Sequence, residues 1–399
     1  MNQLVFIFKV INKLDGMPQI SFWEKDSFFA PQDVIIIGSG FSGLWSALHL
    51  IEKYPHYKIT VLERGPIPTG ASTRNAGFSC FGSPSELLAD AEEMGEDNMW
   101  KLVEMRYKGL LEIRKHFKES AIDYDACGGY ECFDNKSADW ENSHNKIEWL
   151  NKGLKDITNT TDLFKIKDEK IKDFGFNGFD HLIANHLEAG LQPAKLILAL
   201  LQKVAGSGVK VLTGMQVETY QQNEGTITVS ARCGLGKDEG IKFTTNKLLL
   251  CTNAFTTHLF PGVDIVPNRG QVLITAPIPN LAVKGTFHYD KGYYYFRNVG
   301  NRLLLGGARN VAFDAENTTA METTTLIQTE LENFITHHLL PHTPFTIEDK
   351  WSGIMAMGTK KEPIIKMLEP NVFCCIRMSG MGVALAPIAA KETIKLMCI

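Results

Sequence analysis

Three closely spaced glycines follow a run of β-branched residues near the amino terminus of the chain. The segment that holds them contains, in order, Gly38, Ser39, Gly40, Phe41, Ser42 and Gly43. Between a strand and a helix, the first glycine of this pattern permits a tight turn, the second lets the backbone approach a diphosphate, and the third lets the helix pack on the strand. Free amide groups at the start of that helix bind phosphate. The spacing therefore predicts a dinucleotide-binding turn, which we call the glycine turn.

An acidic residue stands where such a turn requires one. Residues 34–37 are typical of a strand buried on both faces, residues 44–53 of a helix, and residues 58–63 of a second strand parallel to the first. Glu63 ends the second strand about twenty residues after Gly43. There its carboxylate can accept hydrogen bonds from ribose hydroxyls, and its charge would repel a 2′-phosphate. The glycine turn alone does not distinguish NAD from FAD.

Further segments extend this pattern along the chain. A glycine-rich loop follows Glu63 and includes Gly70, Ala71, Ser72, Arg74, Asn75, Ala76 and Gly77. An Arg-Gly-Gln element begins at Arg269, and a Trp-Ser-Gly turn ends at Gly353. Near the carboxyl terminus, a second glycine turn comprises Ser379, Gly380, Met381, Gly382, Val383 and Ala384.

The order and spacing of these segments resemble the D-amino-acid-oxidase-like family of FAD-dependent oxidoreductases over nearly the whole chain from Ile20 onward. The Tyr-Tyr-Tyr-Phe-Arg strand and the Gly-Ala-Ser-x-Arg-Asn loop favour the branch of γ-glutamylputrescine oxidoreductases. The resemblance implies FAD as the cofactor. It also implies that both glycine turns, the glycine-rich loop, Glu63, Arg64 and Gly353 contact the cofactor, and that Val217 contacts the adenine through its backbone. Met381 replaces the histidine that is usual in the carboxy-terminal motif.

The resemblance further implies hydride transfer from the carbon beside an amine nitrogen to flavin N5, which leaves an imine. Candidate substrate residues are Tyr293, Tyr295, Arg297 and Met355, with Arg269 as a further candidate carboxylate partner. For each tyrosine, a structural place in the hydrophobic core is an equal alternative to a role at the substrate. For each arginine, the equal alternative is a structural salt bridge.

Family members that bind an α-carboxylate often carry an arginine where this chain has Met355. We therefore expect an amine or N-substituted amine whose carboxylate is remote or absent. A 2-hydroxy-acid dehydrogenase would need a base beside the carbinol, and the sequence offers no convincing one. A non-catalytic flavin-binding protein is the other alternative. His186 and Glu188 are expected to be hydrogen-bonding residues rather than catalysts.

The element pattern predicts an α/β protein in which a Rossmann-type, FAD-binding parallel-sheet domain carries an inserted antiparallel-sheet substrate domain. Residues 85–117 are expected to form one long helical region, and residues 266–307 an antiparallel sheet. The predicted FAD-binding domain comprises residues 30–118, 181–258 and 346–399. The predicted substrate domain comprises residues 119–180 and 259–345, and residues 1–29 form an extension.

Composition excludes several classes of partner. A net charge of −4 gives no excess of cations for a nucleic acid. No segment approaches the roughly 20 apolar residues of a membrane span, since the apolar run at residues 4–8 is short. The eight cysteines form no Cys-x-x-Cys pair, which predicts free thiols in a cytoplasmic protein without a metal site. The oligomeric state, and whether Met1 or Met17 is the start, are left open.

Overall fold

The computed structural model describes residues 20–135, 137–233 and 240–397. The apolar run at residues 4–8, both candidate start residues and Cys398 lie outside these ranges. The strands in chain order are β1 (Gln32–Ile37), β2 (Ile59–Leu62), β3 (Phe78–Ser79), β4 (Gly129–Phe133), β5 (Phe164–Ile166), β6 (His181–Asn185), β7 (Ala189–Gly190), β8 (Lys210–Leu212), β9 (Met215–Asn223), β10 (Thr226–Cys233), β11 (Ile241–Leu250), β12 (Val266–Thr275), β13 (Thr286–Tyr289), β14 (Tyr294–Val299), β15 (Arg302–Gly307), β16 (Ile347–Met357), β17 (Ile364–Glu369) and β18 (Val372–Ile376).

The α-helices are α1 (Phe22–Ser27), α2 (Phe41–Lys53), α3 (Ala71–Arg74), α4 (Pro84–Met94), α5 (Glu96–His116), α6 (Ala138–Thr158), α7 (Glu169–Phe174), α8 (Pro193–Gly206), α9 (Phe313–Glu316), α10 (Thr325–Phe334) and α11 (Gly382–Met397). None of the helices in the described ranges combines the length and apolar character that crossing a membrane requires.

The first sheet contains the predicted parallel unit. Its main order is β17-β18-β11-β1-β2-β8, and β9 and β10 extend it from β11. Strand β1 pairs in parallel with both β2 and β11, and α2 connects β1 to β2, which confirms the predicted βαβ unit. Helix α2 is buried on nearly every side because it packs between this sheet and the helices α8 and α11. The carboxyl ends of β1 and β2 therefore open onto one crevice.

The second sheet has the order β16-β12-β15-β14-β13-β4-β6-β5. Its pairs are antiparallel, as predicted, except that β13 and β4 run in parallel. Its buried face packs against α10, where Phe334 stacks on Tyr294 of β14 with ring centroids 4.6 Å apart. The fold is thus the expected combination of a parallel and an antiparallel sheet.

Two expectations differ from the structure. The long helical region expected over residues 85–117 is present but divided into two helices, α4 and α5, which meet at Gly95, whose φ is +84°. Strands β6 and β16 pair within the second sheet, although the boundaries at 181 and 346 assigned them to the FAD-binding domain. Periodicity identifies a strand but not the sheet it joins. The division into two domains remains our proposal.

Candidate functional site

The glycine turn has room for backbone only. Gly38 has a φ of +100°, and a Cβ atom there would lie 2.8 Å from the carbonyl oxygen of Cys251. A Cβ on Gly43 would lie 1.9 Å from the oxygen of Gly38, so α2 can pack on β1 only because Gly43 has no side chain. A Cβ on Gly40 would lie 2.9 Å from Ser72 Oγ, which accepts a hydrogen bond from the amide of Phe41. The turn and the glycine-rich loop are therefore in contact.

Glu63 is buried at the end of β2 and holds the glycine turn in place through hydrogen bonds. Its Oε2 accepts hydrogen bonds from the amide of Ser39 at 3.0 Å and from the Ser39 hydroxyl at 2.7 Å. Its Oε1 accepts a hydrogen bond from the amide of Gly65 at 3.0 Å. The Ser39 side chain is thus turned onto Glu63 rather than into the crevice.

The glycine-rich loop holds its shape through its own polar side chains. Asn75 donates to the carbonyls of Ala71 and Ser72, and its Oδ1 accepts from the amide of Gly77 at 2.9 Å. Arg74 donates to the carbonyl of Thr69, within the same loop, at 3.1 Å.

The same loop is tied to strand β16 of the second sheet. Arg74 Nη1 donates a hydrogen bond to the carbonyl of Ser352 at 3.0 Å. In the other direction, Trp351 Nε1 donates to the carbonyl of Arg74 at 2.9 Å. Because Gly353 has no side chain, β16 can approach Arg74 closely: a Cβ on Gly353 would lie 3.1 Å from the Cβ of Arg74.

The second glycine turn leads into α11 and is bent by three residues with left-handed backbone conformations. Arg377, Ser379 and Gly380 have φ values of +59°, +46° and +81°. The guanidinium of Arg377 fixes this bend by donating to the carbonyl of Glu362 and to Asp264. The hydroxyl of Ser379 is buried and has no hydrogen-bond partner in the part of the chain that the structure describes.

These segments enclose a cavity of about 840 Å³. That volume lies in the upper part of the range of about 300–1,000 Å³ that small-molecule and cofactor sites occupy. Of the predicted cofactor and substrate residues, those that line it are Gly38, Gly40, Phe41, Ser42, Glu63, Arg64, Gly70, Ala71, Ser72, Arg74, Asn75, Ala76, Gly77, Val217, Tyr293, Tyr295, Gly353, Met355, Ser379, Gly380, Met381, Gly382, Val383 and Ala384. Ser39, Gly43 and Arg297 do not line it.

Comparison with known proteins identifies the family. The sequence profile described as "FAD dependent oxidoreductase" matches residues 33–396. The chain belongs to this family of FAD-dependent oxidoreductases. The chain is also 24% identical over 381 residues to a probable oxidoreductase OrdL from Haemophilus influenzae, an alignment that covers 90% of this chain and 81% of that protein.

Two further similarities agree with this assignment. A γ-glutamylputrescine oxidoreductase from Escherichia coli is 24% identical over 375 residues, which cover 90% of this chain and 82% of that protein. The crystal structure of L-proline dehydrogenase from P. horikoshii superposes with a TM-score of 0.72 at 17% identity, over 92% of this chain and 93% of that one. The second similarity shows that the two proteins share a fold.

The features of the cavity fit FAD. Gly38 and Gly40 line the cavity without a side chain, so a diphosphate can approach the backbone of the turn. The carboxylate of Glu63 lies at the end of the neighbouring strand, where a ribose can be reached. The orphaned Ser379 hydroxyl, beside the start of α11, needs a partner that the described residues do not supply.

The far end of the cavity is a chamber that we define by Phe78, Tyr293, Tyr295 and Met355. Tyr293 and Tyr295 face it, whereas Tyr294 points to the opposite side, stacks on Phe334 and donates its hydroxyl to Glu330 at 2.9 Å. This alternation follows from the pleat of the strand. Burial raises the pKa of Tyr295 to about 12, so its hydroxyl stays protonated.

The two arginines expected as carboxylate partners are engaged elsewhere. Arg297 is buried beside the glycine-rich loop, where its Nη1 donates to the carbonyls of Gly77 at 2.6 Å and Leu191 at 3.0 Å. Arg269 is paired with Glu316, with 2.7 Å between Nη2 and Oε1. The sequence shows which residues are arginines but not which carbonyls and carboxylates the fold brings against them.

One group at the cavity was not anticipated from the sequence. We define the acid–histidine cluster as Glu86, Glu131, Glu188 and His288. His288 Nε2 lies 3.0 Å from Glu188 Oε2, and its Nδ1 lies 3.8 Å from Glu86 Oε2. His288 and Glu86 both line the cavity. The expectation that Glu188 forms hydrogen bonds is met, since it also accepts from Thr286 at 2.9 Å.

Electrostatics keep His288 of this cluster charged. Burial alone would lower the pKa of His288, but the carboxylates of Glu188 and Glu86 outweigh it and raise the pKa to about 9. Burial raises the pKa of Glu131 to about 7, against the hydrogen bonds that it accepts from Ser85. His288 is therefore an imidazolium at neutral pH. The only sequence signal for it is its place in an alternating strand, which many structural histidines share.

Proposed function

We propose that this protein oxidises a C–N bond of an amine or an N-substituted amino compound to an imine by hydride transfer to flavin N5. FAD, when bound, would supply the acceptor for the hydride, which carries both electrons of the oxidation. The observation that carries the proposal is the continuity of the cavity, which runs without a break from the glycine turn to the chamber. A substrate in the chamber would therefore adjoin a cofactor held by the turn.

The cofactor end follows from backbone groups. We assign the diphosphate to the amides of the glycine turn, the ribose to Glu63, and the adenine to the backbone of Val217, which lines the cavity. The glycine-rich loop and the second glycine turn would flank the flavin. The amino end of α11 favours negative charge on a group bound beside it, because the amides of its first turn have no partners within the helix.

The chamber end suits an amine. Phe78, Tyr295 and Met355 give it aromatic and thioether surfaces, and such a wall favours an uncharged amine over an ammonium. Two similar proteins carry the names of enzymes that act on amino compounds, γ-glutamylputrescine oxidoreductase and L-proline dehydrogenase. Met355 offers no charge to an α-carboxylate, which supports the proposal that any carboxylate of the substrate lies away from the bond that reacts.

Oxidation of a 2-hydroxy acid is the main alternative, because a histidine–carboxylate pair, His288 and Glu188, lies at the cavity. A carbinol needs a base to take its hydroxyl proton. With a pKa of about 9, His288 already holds its proton at neutral pH and cannot take another. The pair therefore does not supply the base that alcohol oxidation needs at neutral pH.

Anaerobic reduction of the purified holoenzyme tests the proposal. We expect primary and secondary amines to bleach the yellow chromophore saturably, with an aldehyde or ketone as the product of imine hydrolysis. Lactate and 2-hydroxyglutarate serve as the matched hydroxy acids and are expected to leave the chromophore oxidised. Bleaching by the hydroxy acids alone would establish the alternative. A protein that binds FAD but that no amine reduces would point to a non-catalytic role.

A further inference from the structure

Outside the nucleotide-facing segments, three of the four lysine and arginine side chains that line the cavity are already neutralised. These three side chains are Arg106 with Asp90 at 3.3 Å, Lys291 with Asp139 at 3.0 Å, and Lys361 with Glu93 at 3.5 Å. Each forms a salt bridge with a carboxylate of the protein itself. None of the three therefore needs a negative charge from a ligand.

Arg309 is different. It follows β15, where the left-handed conformations of Gly307 and Ala308, with φ values of +126° and +57°, turn the chain toward the cavity that Arg309 lines. Its Nη1 donates to Asn268 Oδ1 at 2.5 Å. Its guanidinium lies 5.7 Å from the ring centre of Tyr293. Within the three ranges that the structure describes, no carboxylate oxygen lies within 4.0 Å of it.

The guanidinium is held close to the chamber. Asn268 and Gly270 lie two residues apart on β12, so they face the same side of the sheet and are separated by about 7 Å. A Cβ on Gly270 would lie 3.2 Å from Met355 Cε and 3.7 Å from the hydroxyl of Tyr295. Because Asn268 accepts a hydrogen bond from Arg309, the guanidinium lies close enough to the chamber for one small molecule to contact both.

We propose that Arg309 binds a carboxylate of the substrate, so that the substrate class is an amine that carries a carboxylate. A guanidinium presents a planar fork of donors that matches a carboxylate, and a half-buried cation gains most from such a partner. The guanidinium of Arg309 is held in place before a ligand binds. It contacts the rings of Tyr293 and Phe313 and donates a hydrogen bond to Asn268. The carboxylate of the substrate thus binds beside β15 rather than at Met355 on β16. The amine part of this statement rests on the proposed function.

Binding of unreactive carboxylates tests Arg309 without turnover. The probes are propanoate, butanoate, pentanoate and hexanoate, titrated into the holoenzyme while the flavin absorption spectrum is recorded. We expect at least one of them to perturb the spectrum saturably. Arg309→Met should raise its Kd by about 30-fold, and Arg309→Lys by less, because a lysine keeps the charge but loses the fork.

Arg302→Met is the matched control, because Arg302 pairs with Glu348 at the surface and does not line the cavity. It should leave the Kd unchanged. FAD content and thermal unfolding show that each variant is folded. If no carboxylate perturbs the flavin, or if Arg309→Met binds the carboxylates as tightly as the wild type, the assignment of Arg309 is wrong.

A second arm separates this inference from the proposed function. Straight-chain ω-amino acids are compared with n-alkylamines of equal length in anaerobic flavin reduction. We expect the amino acids to react at lower concentration, and Arg309→Met to remove that advantage. Equal reaction of both series in the wild type would overturn the role of Arg309 but leave amine oxidation intact. Carboxylate binding that depends on Arg309, without reduction by any amine, would overturn the proposed function alone.

Discussion

The two ends of the cavity are built in different ways. At the glycine turn the surface is backbone, and the decisive property of Gly38, Gly40 and Gly43 is the absence of a side chain. At the chamber the surface consists of side chains that β14 and β16 bring together from distant parts of the sequence. The comparison teaches that a binding site made of local backbone tolerates almost no change, whereas one made of side chains can change its ligand without losing the fold.

The largest expected effect is at the nucleotide end. Gly43→Ala places a Cβ 1.9 Å from the carbonyl oxygen of Gly38, so β1 and α2 must separate. We expect the free energy of unfolding to fall by about 3 kcal/mol or more and FAD to be lost. Gly206→Ala, at the exposed end of α8 where a Cβ meets nothing within 4 Å, is the control and should not destabilise the protein. Thermal unfolding and flavin content measure both. Equal behaviour of the two variants would contradict the packing argument.

The next largest effect is expected at Arg297, which supports the glycine-rich loop between the two ends of the cavity. Arg297→Met removes the side-chain donor of the buried Leu191 carbonyl and one of the two donors of the Gly77 carbonyl, which keeps its hydrogen bond from the amide of Leu191. We expect a loss of about 3 kcal/mol in urea unfolding and weaker FAD retention, with the preference between amino acids and amines unchanged. Arg114→Met removes an exposed pair with Glu119 and a contact with the ring of Tyr124, and it should cost no more than about 1 kcal/mol. A shift in substrate preference in Arg297→Met would place its guanidinium in contact with substrate after all.

The acid–histidine cluster should make stability depend on pH. Because the folded-state pKa of His288 is raised to about 9, its stabilisation is complete below the unfolded pKa of about 6.5 and is lost as the pH rises through 9. We expect the wild type to lose up to about 3 kcal/mol over this interval in urea titrations at successive pH values. His288→Gln, which cannot hold the charge, should lose much less. Parallel pH profiles of the two proteins would show that His288 is not held as an imidazolium.

The smallest effect is expected at the chamber. Tyr295→Phe removes a hydroxyl that faces the cavity, and we expect kcat/KM for an amine to fall about tenfold or less while FAD binding is kept. Tyr294→Phe, the neighbouring control, removes a half-buried hydrogen bond to Glu330 on the opposite side of the strand. It should lower the free energy of unfolding by about 1 kcal/mol and leave kcat/KM unchanged. The reverse pattern would mean that the strand faces the other way.

The same contrast explains what the sequence could predict. The glycine turn, α2 and Glu63 lie within thirty residues of one another, so spacing alone predicted the β1–α2–β2 unit. The chamber depends on sheet register, which the sequence does not show. Hence Arg297 and Arg269 were candidates on the strength of residue type, although the fold gives them carbonyl and carboxylate partners. Arg309 and His288 became visible only when the second sheet brought them to the cavity.

The most direct test of the central claim is the flavin content of the purified protein. The glycine turn and Glu63 form one cradle, so we expect one FAD per chain, taken up stoichiometrically when FAD is added to protein from which it has been removed. A colourless protein that takes up no flavin under these conditions would contradict the account.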